Sequence, residues 1–159
     1  MSKVLTVYFS AGGRTASLAK NIAEKAGGEL FEIKPETPYT KADINWRNPI
    51  SRCNKEKIGK KDVPFVGSPE TFGQADTVFV GFPIWYYGAP NIIQSFMKSL
   101  EWSGKRIALF ATSGGSDIGK TVGKLRPFIT GDYRLIAANV FEDENDDAAI
   151  SEWVNGIVK

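Results

Sequence analysis

The chain has 159 residues, 42% hydrophobic and 24% charged, with a net charge of +2, one cysteine and no histidine. That length suits one core-bearing domain, expected to span 1–159. A lone cysteine excludes an intramolecular disulfide, and the missing histidines exclude the usual Cys/His metal sets and every mechanism that needs a histidine base, so any hard chemistry would fall to a cofactor.

"KVLTVYFS" (3–10) is a β-rich run ending in a polar turn, and predicts a buried strand. From Thr15 the spacing changes: Leu18, Ala19, Ile22, Ala23 and Ala26 recur at helical intervals until Gly27-Gly28 stops them. "ELFEIK" (29–34) predicts a short strand closed by Pro35. Residues 35–74 hold five prolines and no sustained period, and predict a long irregular excursion with room for a short helical turn. "ADTVFVGFP" (75–83) predicts a strand covered on both faces. "NIIQSFMKSL" (91–100) predicts a helix with Ile92, Ile93, Phe96, Met97 and Leu100 on one face. "KRIALFAT" (105–112) is a fourth strand, followed by a glycine loop and a short helix ending near Pro127. "YRLIAANVF" (133–141) is a fifth strand. The last helix begins near Asn145, with Asp146 and Asp147 at its positive end and Ile150, Trp153, Val154 and Ile157 on its apolar face.

Apolar strands alternating with helices predict an α/β fold, a three-layer, doubly wound, five-stranded parallel sheet in the order 2-1-3-4-5. Ligands of such sheets bind at the carboxyl ends of the strands, near the point where the strand order reverses.

Three loops would meet at that edge. "SAGGRT" (10–15) lies between strand and helix, where backbone amides and the helix dipole bind phosphate. Gly12 and Gly13 permit close approach, Ser10 and Thr15 add hydroxyls, and Arg14 could add charge. A plain turn capped by Ser or Thr is the alternative. "PIWYYGAP" (83–90) carries three adjacent aromatics, whose neighbouring side chains cannot all point into the core. Trp85 or Tyr86 could stack on a planar ring, or two of the three could pack into the domain or an interface.

The third loop, "TSGGSDIGKT" (112–121), contains "GGSDIGKT" (114–121), which matches the phosphate-binding pattern of nucleotide hydrolases. Such a loop normally follows the first strand of its sheet, with further strands to carry the metal-binding acid and orient water. Here one strand follows, so hydrolysis is not expected. Lys120 and Thr121 then belong to an ordinary helix start, and the glycines suit close approach to a flat polar ring edge.

In this order and on these elements, the three loops resemble a flavodoxin over essentially the whole chain. "VYFSAGGRT" resembles the family's first loop, and "GFPIWYYGAP" and "FATSGGSDIG" resemble the two segments around its flavin; "GAPNIIQSFMKSLEWSGKRIALFATSGGS" is particularly like the shorter bacterial subgroup. The resemblance implies an FMN cofactor, with Ser10, Gly12, Gly13, Arg14 and Thr15 holding its phosphate. It implies Pro83, Ile84, Trp85, Tyr86 and Tyr87 on one side of the ring, and Ser113, Gly114, Gly115 and Gly119 on the other. The chain departs from the pattern in three places. Gly12 and Arg14 replace the usual Thr and Asn, the net charge is slightly basic, and the excursion at 35–74 stands where a helix is expected.

The function implied is electron transfer between a reductase and an acceptor protein. The alternatives are an FMN-dependent NAD(P)H:quinone-type oxidoreductase and a binding module without redox turnover. The basic segment 47–61, with six cations and one acid, would suit an anion contact or be solvated surface, and the acidic run 142–147 reads as solvated surface. Cys53 among these cations reads as an incidental thiol. No catalytic residue, metal, nucleic-acid partner or membrane contact is expected. The apolar runs are too short to cross a bilayer and no leader sequence is evident, so the expected location is cytoplasmic.

Overall fold

In the computed structural model, the residues described are 3–10, 13–37, 40, 52, 63–84, 88–112 and 118–158. Along the chain they form β1 (Val4–Tyr8), α1 (Arg14–Ala26), β2 (Glu29–Glu32), β3 (Lys34–Pro35), β4 (Phe65–Val66), β5 (Thr77–Pro83), α2 (Asn91–Lys98), β6 (Arg106–Thr112), α3 (Ile118–Leu125), β7 (Arg134–Phe141) and α4 (Asp147–Val158).

Five strands build one sheet in the order β2-β1-β5-β6-β7, every neighbouring pair parallel. Numbered among themselves these strands run 2-1-3-4-5, the order expected from the sequence. The order reverses between β1, which pairs outward with β2, and β5, which returns to the other side of β1.

The apolar spacing of each helix decides which face of the sheet it covers. Leu18, Ala19 and Ile22 of α1 join Ile150, Val154 and Ile157 of α4 over Tyr8, Phe79, Ala108 and Phe110. On the opposite face, Ile92, Ile93, Phe96 and Met97 of α2 and Leu125 of α3 pack on Leu5, Val7, Val78, Val80 and Leu109. Burying each such Leu or Ile contributes about 1.5–3 kcal/mol. Thr77 to Phe82 are all buried, as the near-continuous apolar run of β5 requires. Trp102 lies at the foot of the α2 face, its indole donating to the Met97 carbonyl at 2.8 Å and its ring edge-on to Phe72.

The helix ends follow the sequence signals. The Gly27 amide closes α1 on the Ala23 carbonyl at 2.8 Å. Gly28 follows at φ +88°, where an added Cβ would sit 1.9 Å from the Val4 carbonyl oxygen, so only glycine lets the chain turn into β2. Asp146 caps α4 by accepting the Ala149 amide at 3.2 Å.

One expectation changes. The excursion is not wholly irregular, because Lys34-Pro35 pairs antiparallel with Phe65-Val66; the short helical turn expected within it is a 3-10 turn over Phe72–Gln74. Proline is tolerated because a two-residue edge pairing asks little of its missing N–H. This pairing brings the two ends of the excursion together. Cys53 lies outside the described residues, as does the basic segment except Arg52, which donates to the Thr37 carbonyl at 2.6 Å.

Candidate functional site

The carboxyl ends of β1, β5 and β6 are drawn together by backbone bonds that continue past the strands. The Phe9 amide donates to the Gly81 carbonyl at 3.0 Å, and the Ile84 amide to the Thr112 carbonyl at 3.0 Å. Ser10, Pro83, Ile84 and Thr112 therefore share one edge, at the reversal of strand order.

The first loop enters α1 through Gly13, which stands at φ +95° with open space around the position of a Cβ. A side chain would meet no obstacle there; the backbone angle alone asks for glycine. No side chain caps this helix, and its first internal bond is from the Ser17 amide to the Gly13 carbonyl at 3.1 Å. The amides of Arg14, Thr15 and Ala16 consequently have no partner within the helix. A 13-residue helix whose open end carries the positive pole of its dipole is a ready anion site.

Two hydroxyls complete this end. Ser10 Oγ accepts the Gly13 amide at 3.1 Å, which fixes the turn. Thr15 is buried, and its Oγ1 lies 2.8 Å from Oγ1 of Thr112, also buried. That bond ties the start of α1 to the end of β6. In the sequence Thr112 closes the fourth strand and opens the third loop; its partner lies far along the chain, where spacing gives no signal. Tyr8, beneath this edge, has its phenol pushed up by burial and then by the nearby Glu32.

Arg14 lies at the mouth of the first loop, but its side chain reaches outward. Its Nη2 donates to the Glu142 carbonyl at 2.7 Å and its Nε to Glu144 Oε2 at 3.3 Å. Farther along α1, Asn21 donates to Asp147 Oδ1 at 2.8 Å and Lys25 lies 3.4 Å from the same oxygen. The hydrogen bond from Asn21, then Lys25, holds the Asp147 carboxyl below its ordinary range. Part of the acidic run 142–147 is thus a strap along α1 rather than solvated surface alone. Its acidity was legible in the sequence; its partners were not.

The remaining expected contacts divide. Pro83 and Ile84 sit half-buried at the end of β5, and Gly119 is exposed in the first turn of α3. Gly12, Trp85, Tyr86, Tyr87, Ser113, Gly114 and Gly115 lie outside the described residues. Lys120 and Thr121 are ordinary members of α3, the one exposed and the other buried. Among the described residues, no helix is long and apolar enough to cross a membrane.

Comparison with known proteins finds a family model described as Flavodoxin matching residues 3–157. A structure from Bacteroides eggerthii DSM 20697, described as a flavoprotein, is similar at 36% identity and a TM-score of 0.87, covering 100% of this chain and 99% of its own. A second, from Bacteroides uniformis ATCC 8492, is 33% identical with a TM-score of 0.86, over 97% of this chain and 98% of its own. A flavoprotein from Lactobacillus acidophilus NCFM, solved in complex with FMN, shares the fold at 21% identity and a TM-score of 0.72, over 96% of this chain and 99% of its own. No curated protein matches.

Proposed function

The chain belongs to the flavodoxin family, and from that premise we propose that it binds FMN and carries electrons between a reductase and an acceptor protein in the cytoplasm, as one flavodoxin-like domain over 1–159. The observation that carries the FMN reading is the uncapped N-terminus of α1, entered through Gly13 at φ +95°. Its donors fit a phosphate monoester: three first-turn amides without a partner inside the helix, and the hydroxyls of Ser10 and Thr15. Dipole and amides together hold such an anion without a neutralising side chain. The L. acidophilus flavoprotein with FMN has the same fold, which adds support.

In this reading each group has a distinct role. Gly13, Ser10 and the α1 amides bind and orient the phosphate. Thr15 and Thr112 fix the distance between the phosphate end and the end of β6, where the ring would lie. Pro83 and Ile84, with Trp85, Tyr86 and Tyr87, would enclose one side of the ring and exclude water. Ser113, Gly114, Gly115 and Gly119 would serve the other. FMN, when bound, supplies one- and two-electron redox chemistry. The protein's part is to hold it, shield it and set the polarity around it.

The test is an absorbance spectrum of the purified protein and a titration of the apoprotein with FMN, followed by NADPH addition. A bound flavin spectrum, reduced by NADPH only when a separate reductase is present, is the expected result. Colourless protein that gains no thermal stability from excess FMN would sink the proposal. Steady NADPH oxidation by the protein alone, with a quinone as acceptor, would replace the carrier with an oxidoreductase.

A further inference from the structure

Arg14 is the one cation in the stretch Ser10 to Thr15, and the strap occupies it. Its guanidinium donates to the Glu142 carbonyl at 2.7 Å and meets Glu144 at 3.3 Å. Both partners belong to the turn that follows β7 and leads into α4. That turn is held in place independently of Arg14: the Asn145 amide donates to Asp143 Oδ1 at 2.9 Å, Asp146 caps α4, and Asp147 is bound by Asn21 and Lys25 of α1. The strap is therefore a fixed acceptor for Arg14. The Arg14 side chain is 46% exposed and that of Glu144 23% exposed, so the guanidinium has room to move and the carboxylate is the better anchored of the two.

We propose that Glu144 withholds Arg14 from the phosphate of the bound flavin, so that the acidic strap competes with the ligand for this guanidinium and lowers the protein's affinity for phosphorylated flavin. The proposal rests on the FMN reading given above. A guanidinium matches phosphate geometry as well as it matches a carboxylate, and it cannot serve both from one position. With the strap holding Arg14, the phosphate depends on amides and hydroxyls. Replacing the Glu144 carboxylate by an amide leaves Arg14 only neutral acceptors, the Glu142 carbonyl among them, so the cation exchanges more readily onto phosphate to add a charge-assisted contact.

The experiment measures binding of FMN and of riboflavin, which lacks the phosphate, by quenching of flavin fluorescence. The proteins compared are the unchanged chain, Glu144→Gln, Glu144→Asp, Arg14→Gln and the double variant Arg14→Gln/Glu144→Gln. Glu144→Gln is expected to tighten FMN about two- to fivefold, the range a partly exposed charge pair commands, and to leave riboflavin unchanged. Glu144→Asp keeps the charge but draws it back by one methylene, and is expected to tighten FMN as well. In the Arg14→Gln background the gain from Glu144→Gln should vanish. An equal gain in both backgrounds would mean simple repulsion of phosphate by Glu144 and would overturn the proposal. So would unchanged or weaker FMN binding by Glu144→Gln, or an equal shift for riboflavin. Failure of the unchanged chain to bind either flavin would instead remove the FMN reading itself.

Discussion

Gly13→Ala isolates the backbone angle at the entrance to α1. The open space around its Cβ position means that the substitution adds no clash, so its cost is that of a left-handed angle on an L-residue. That cost is about 1–2 kcal/mol. The chain can meet it in two ways. If the turn keeps φ +95°, the folded state loses stability and FMN binds as before; for a chain of this size the melting temperature falls by roughly 2–8 °C. If the turn flips to a negative angle, stability recovers, but the bond from the Gly13 amide to Ser10 is lost and the α1 amides no longer converge, weakening FMN by roughly 5- to 30-fold. In both cases the melting temperature measured in excess FMN drops, because the loss lies either in the fold or in the complex. Thermal melts with and without FMN, together with a titration, separate the two routes. Gly13→Asn, whose side chain tolerates left-handed angles better, should fall between alanine and the unchanged chain. Melting and affinity both unchanged in Gly13→Ala would refute the reasoning.

Gly28→Ala meets a harder obstacle, a backbone carbonyl 1.9 Å from the new Cβ on top of φ +88°, and is expected to cost at least about 3 kcal/mol in a denaturant melt. It lies at the amino ends of the strands, so any folded fraction should bind FMN normally; an unshifted denaturation midpoint would contradict the placement. Lys105 is buried, donates to the Ala75 carbonyl at 2.8 Å and stands over the Phe72 ring, and burial holds its ammonium below the ordinary lysine range, with Asp76 opposing. Its unfolded state binds the proton more tightly, so this residue's contribution to stability rises with pH across the window from its lowered native pKa to the unfolded value of about 10.4. Lys105→Met should flatten that rise in denaturant melts taken across the window. The lost bond to Ala75 shifts the level but not the slope, and identical slopes would show that burial does not penalise the charge.

Local pattern carried most of the fold. The apolar runs of β1, β5 and β6 are legible because strands buried on both faces leave no room for polar alternation. The spacing of Leu18, Ala19 and Ile22 is legible because a helix on a sheet buries one stripe. Gly27-Gly28 could be read as a stop because the conformations required there are nearly closed to other residues. The pairing of Lys34-Pro35 with Phe65-Val66 was not legible: two residues on each side carry no period, and their partners lie far apart in the chain. The site shows the same division. Ser10 to Thr15 announced a helix entrance by composition alone. The reach of Arg14 to Glu142 and Glu144, and the contact between Thr15 and Thr112, depend on how distant segments meet, which no spacing within a loop encodes. The acidic run 142–147 offered the right chemistry without an address for it.

The reversal of strand order also shapes how the molecule reaches its native state. Leu5 finds Glu29 across a short connection, but Val4 must find Thr77 across the whole excursion. Closing a connection three times longer costs about 1 kcal/mol more chain entropy, and each doubling beyond that only about 0.6. The central pairing of the sheet thus carries the larger loop-closure cost, since remote pairings are repaid only after their loops close. The same weak dependence on length makes the excursion a tolerant place for the chain to lengthen or shorten. The antiparallel clasp of Lys34-Pro35 with Phe65-Val66 isolates such changes from the sheet, so this segment can diverge while the edge that carries Gly13, Thr15 and Thr112 stays as it is.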